Sequence, residues 1–81
     1  MTDPATETDW RALADDLKAH GVPTKRAEVV ALVATGRSYR AIADREDIGV
    51  SNAGGVSNYV DDYREQLADA EWLAEHGPEL P

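Results

Sequence analysis

The sequence predicts an all-α domain of four helices, the last of them long. Three observations lead there. Apolar residues recur at helical spacing in separate segments, as Trp10, Leu13, Ala14 and Leu17 do at i, i+3, i+4 and i+7. Glycines fall where helix ends and turns belong, at Gly21, Gly36, Gly49 and Gly77. No run alternates apolar and polar residues as a strand does, beyond Ile48 and Val50 on either side of Gly49. A chain of 81 residues makes one small core, with no room for a second.

Taken in order, residues 1–8 are polar and aperiodic and read as a flexible N-terminal tail. The domain itself spans 9–76. Its first helix starts at Thr8 or Asp9 and stops at Gly21, with Pro23 preventing continuation. Thr24 is the expected N-cap of the second helix, Lys25 to Ala34, which buries Ala27, Val30, Ala31 and Ala34 and is widened by Val29, Leu32 and Val33. So apolar a helix belongs in the middle of a domain. Gly36 closes it and Ser38 caps the third, from Tyr39 to about Arg45, with Ile42 and Ala43 turned inward.

Ser51 is the expected cap of the fourth helix, which starts at Asn52 or Val56 and runs to His76. Gly54-Gly55 costs about 1 kcal/mol of helix propensity per glycine, so a start near Gly55 is one expectation for this helix. From Val56 its apolar residues follow a 4-3-4-3-4 spacing: Val56, Val60, Tyr63, Leu67, Ala70 and Ala74. That seam has two readings. It packs on the Trp10/Leu13/Leu17 stripe, or it pairs with a second copy; the dimer is the preferred one. Gly77-Pro78 ends the helix, and 77–81 form a C-terminal tail.

Composition narrows function. There is no cysteine, hence no disulfide and no thiolate metal site, and no cofactor is expected. No apolar run reaches the roughly 20 residues that span a bilayer, and the acidic N-terminus lacks a signal-peptide pattern, so a cytoplasmic protein is expected. The net charge of −8 is unevenly spread. Residues 1–24 carry five acids against Arg11 and Lys18, and 61–81 carry seven against Arg64. Residues 25–60 carry five cations against four acids, a net of +1. Asp outnumbers Glu, nine to seven, and Arg outnumbers Lys, six to two. An acidic, lysine-poor surface is similar to the usage of halophilic archaea. In molar salt the Debye length is roughly 3 Å, so net charge there says little about affinity for a polyanion.

The order of segments from Thr24 to Tyr63 is that of a helix-turn-helix unit. The residues Thr24 to Ala43 (T-x-x-x-E-V-V-A-L-V-A-T-G-R-S-Y-R-A-I-A), Ile48 to Ser51 (I-G-V-S) and Gly55 to Val60 (G-V-S-N-Y-V) resemble the helix-turn-helix domains of LuxR-type regulators and of the fourth region of sigma factors. In style the chain is closer still to small haloarchaeal regulators. The likeness covers about half the chain. Two departures stand out: Ile48 comes five residues after Ala43, where about three is usual, and Ser51 lies five before Val56, where four is usual.

The resemblance implies a homodimeric transcriptional regulator bound to double-stranded DNA, without a small-molecule ligand. Phosphates would be held at helix N-termini by Lys25, Arg26, Arg37, Ser38, Tyr39 and Arg40. Bases would be read in the major groove from Ser51, Asn52, Ser57 and Asn58, ahead of the repelling Asp61 and Asp62. An adaptor that docks proteins on the same scaffold is the alternative, favoured if Arg40 pairs with Asp44. Tyr59 and Tyr63 read as core or interface, and His20 and His76 as surface residues near helix C-termini. No nucleophile stands with a base, and the Asp pairs 15–16 and 61–62 form no dyad, so no enzyme activity is expected.

Overall fold

The computed structural model describes residues 4–78 and 80, with side chains from residue 10 onward. It is all-helical among the described residues, with five helices rather than four: α1 (Pro4–Ala19), α2 (Thr24–Ala34), α3 (Tyr39–Ala43), α4 (Ala53–Asp69) and α5 (Glu71–His76). Helix α1 begins four to five residues before the expected start, so residues 4–8 of the expected tail are helical, and 1–3 lie outside the described residues. Proline suits a first helical position, where its missing N–H would have had no partner.

Helices α1 and α2 end the same way. The amides of Gly21 and Val22 bond the carbonyls of Lys18 and Leu17, and those of Gly36 and Arg37 bond Val33 and Leu32. This paired closure needs a left-handed residue, supplied by Gly21 at φ +94° and Gly36 at φ +97°. At the start of α2, however, Thr24 is the first helical residue and caps nothing. Pro23 holds the cap position, its carbonyl accepting from the Ala27 amide at 2.8 Å, with no side-chain cap bond.

Helix α2 is the centre of the domain. Ala27 and Val29 through Val33 are all buried, because α1, α3 and α4 each pack against it. Among the described residues α1 lies on α2 and not on α4, so the Trp10/Leu17 stripe does not cover the seam as one reading expected. The seam instead goes into the chain's own core: Val56, Val60 and Tyr63 are essentially inaccessible, packed among α2, α3 and α4 residues. Of the six positions assigned to a dimer, these three are already used within one copy; Leu67 and Ala70 are half-buried and Ala74 is exposed.

The long last helix does not run through. At Ala70 the backbone turns extended (φ −122°, ψ 102°), and α5 sets off in a new direction. No Gly or Pro forces the break; tertiary packing does. A straight helix from Ala53 to His76 would span roughly 36 Å at 1.5 Å per residue, the full 36 Å of the molecule's longest dimension. Turning back buries Leu73, about 1.5–3 kcal/mol for a side chain of that size. After α5, Pro78 and Leu80 are also held. The Tyr63 hydroxyl donates to the Pro78 carbonyl at 3.2 Å, and half-buried Leu80 packs on the core. A Cβ on Gly77 would collide with the Tyr63 hydroxyl and the Leu73 carbonyl, which is why a glycine stands there.

Trp10 fastens α1 to the far side of the domain. Its buried ring carries the Arg11 guanidinium at 4.7 Å and that of Arg45 at 5.1 Å from its centroid. Arg45 in turn holds Asp47 with two bonds, Nε to Oδ1 at 3.1 Å and Nη2 to Oδ2 at 2.9 Å. Arg11 lies 3.9 Å from the same carboxylate. One acid thus ties α1 to the segment that follows α3.

Candidate nucleic-acid interface

The start of α4 is built by Asn52 and two glycines. Asn52, not Ser51, is the N-cap, its Oδ1 accepting from the Gly55 amide at 2.8 Å. The helix therefore begins at Ala53, with Gly54-Gly55 inside its first turn rather than in a loop. Their poor propensity is outweighed by packing: a Cβ on Gly55 would stand 2.8 Å from Val50 Cγ1. Only glycine lets the turn 48–50, with Ile48 and Val50 buried, lie that close to α4.

Between that turn and α4 runs an open groove of about 410 Å³, lined by Gly49, Val50, Ser51, Gly55, Asn58, Tyr59 and Asp62. Lys25, exposed in the first turn of α2, places its Nζ 3.5 Å from where a Gly49 Cβ would be. The fold thus gathers Lys25, Ser51 and Asn58 around one feature, from segments that the sequence keeps apart.

The other expected contacts divide. Arg26 is turned inward: Nη1 donates to Gln66 Oε1 at 2.8 Å, Nη2 lies 4.0 Å from Asp62, and Nε is buried without a partner. Gln66 then donates to the Gly21 carbonyl at 3.2 Å, so Arg26 clamps α2 to α4 and is not presented to a phosphate. Arg37 is folded back onto Thr35 Oγ1. Ser38 caps α3, accepting from the Ala41 amide at 3.1 Å, and Tyr39 is half-buried against the core. Helix α3 has five residues, too few for a sizeable dipole at its start.

Arg40 is exposed and makes no ion pair with any described residue, Asp44 included. Ser51, Asn52 and Asn58 are exposed, and Ser57 is half-buried. Sequence reasoning did not find the partners of Arg26, since nothing in the spacing of Asp62 and Gln66 marks them as facing Arg26 on α2.

The electrostatics of this region differ from the rest of the surface. From Ile48 to Val60 there is no charged residue, in a chain with sixteen acids. Beyond it Asp61 and Asp62 restore the negative sign. Among the described residues no helix is long and apolar enough to cross a membrane, and no cluster of His, Cys, Asp or Glu could hold a metal ion. Comparison with protein-family models, with curated proteins and with solved structures gives no match.

Proposed function

We propose that this chain is a sequence-specific DNA-binding regulator of the helix-turn-helix kind, with α3 as the supporting helix and the first turns of α4 as the reading edge, working in the salt-rich cytoplasm of a halophilic archaeon or one of its viruses or plasmids. The observation that carries this reading is the charge-free stretch from Ile48 to Val60, exposed at Ser51 to Gly54 and at Asn58 on an otherwise acidic molecule. Its own residues present no carboxylate to a polyanion, and the one acid that lines the adjoining groove, Asp62, has the Arg26 guanidinium 4.0 Å away. Lys25 and the exposed Arg40 supply the cations suited to phosphate, a smaller set than the sequence alone suggested. Small residues at Ala53 and Gly54 allow close approach of the helix tip to a groove.

The test is recovery of bound fragments from a genomic DNA pool in molar KCl, with a Lys25→Ala/Arg40→Ala variant alongside. Wild-type protein should enrich defined sequences, and the variant should bind those sequences and bulk DNA more weakly by a similar factor. No enrichment by the wild type removes the proposal and leaves the protein-docking scaffold as the reading. Sedimentation in the same salt asks whether two copies meet through the outer part of the seam, Leu67, Ala70 and Ala74; a monomer at micromolar concentration rules that pairing out.

A further inference from the structure

We infer that Asn58 is the one side chain of α4 that identifies a base, and that the base is adenine. This rests on the DNA-binding reading above and deepens it. Reading adenine takes a whole primary amide: the carbonyl accepts from N6 while the NH₂ donates to N7. Two asparagines stand near the tip of α4, and the fold makes them unequal. Asn52 points its Oδ1 at the Gly55 amide, 2.8 Å away, which fixes the orientation of its amide across the helix end; turning both its oxygen and its NH₂ onto a base edge would uncap the helix. Asn58 is exposed, and its amide bonds to no described residue.

Its surroundings on the helix favour the same assignment. One turn before Asn58 stand Gly54 and Gly55, so no side chain of the preceding turn on that face stands between the amide and the helix tip. One turn after it stand the exposed Asp61 and Asp62, which repel phosphates. The helix must therefore enter a groove by its N-terminus, with Asn58 as the last residue able to reach a base edge. Ser51 and Ser57 carry hydroxyls, which both donate and accept and so discriminate weakly.

The experiment selects binding sites from a random duplex pool in molar KCl with the wild type, Asn58→Ala and Asn52→Ser. Serine keeps the cap, and circular dichroism checks that both variants stay folded. The wild-type site should contain one position fixed as adenine. Asn58→Ala should bind the same site with that position relaxed, losing roughly 5- to 150-fold of discrimination there, while Asn52→Ser keeps it. An Asn58→Ala protein with an unchanged preference overturns the inference while leaving DNA binding intact, as does a preference lost in Asn52→Ser alone. A wild type that selects no sequence fails at the earlier step and overturns both.

Discussion

The imidazole of His20 lies flat on the indole of Trp72, ring centroids 3.5 Å apart and planes within 3° of parallel. His20 Nδ1 donates to the Asp16 carbonyl at 2.8 Å, which fixes the ring just after α1, and the His76 ring lies 5.5 Å from the indole, tilted by 41°. This stack ties α5, which packs on α4, to the residue that follows α1. An aromatic pair of this kind contributes about 0.5–1.5 kcal/mol beyond its buried area. His20→Ala should lower the melting temperature by several degrees, at roughly 4–8 °C per kcal/mol for a domain this size. An unchanged melt followed by circular dichroism would show that the stack contributes nothing.

Gly55→Ala should destabilise the fold although alanine is the better helix former. Overpacking against Val50 Cγ1 costs about 1–3 kcal/mol, against about 1 kcal/mol gained in propensity. Val50→Ala opens the space the new methyl needs. Urea denaturation of both single variants and the double should then give a double less destabilised than the sum. Strict additivity would place the strain elsewhere.

Burial raises the Tyr63 hydroxyl above the usual tyrosine range. The folded state therefore keeps a proton that the unfolded chain releases above about pH 10. This contribution to stability is complete below pH 10 and is lost as the pH rises through the folded value. Tyr63→Phe removes the bond to Pro78, costing about 1 kcal/mol at neutral pH, and should flatten the alkaline decline. Urea midpoints at pH 9 and pH 11 measure both effects; an equal alkaline loss in the variant would assign it to other groups.

Asp47 behaves oppositely. The hydrogen bond from Arg45 is the largest influence on its carboxyl; burial opposes it, and the charges of Arg45 and then Arg11 add to it, leaving the group below the usual aspartate range. Its contribution is present above about pH 3.8 and is lost as the pH falls through the lowered value. With the side chain half exposed the pair is worth less than about 1 kcal/mol. Asp47→Asn should be slightly less stable at pH 7 and less sensitive between pH 5 and pH 3, and molar KCl should shrink the difference. An unshrunken difference would mean that the fork of hydrogen bonds, not charge, dominates.

What the sequence by itself determined is the local grammar. The apolar spacing defines α2 and the stripe of α1, and Gly21, Gly36 and Ser38 punctuate them, because each acts through bonds to residues within a turn or two. The all-helical class follows from these. Tertiary structure decided the rest. It placed Gly54-Gly55 inside α4, since Val50 must lie where a methyl would be. It broke the last helix at Ala70, and the turned-back α5 buries Leu73 and stacks Trp72 on His20. It took Val56, Val60 and Tyr63 into the core and turned Arg26 onto Asp62 and Gln66. An amphipathic spacing states that a face will be covered, but not by what. A cation in the sequence likewise carries no record of the carboxylate that folding brings beside it. Asn52 and Asn58 are alike in sequence; only the cap bond separates them.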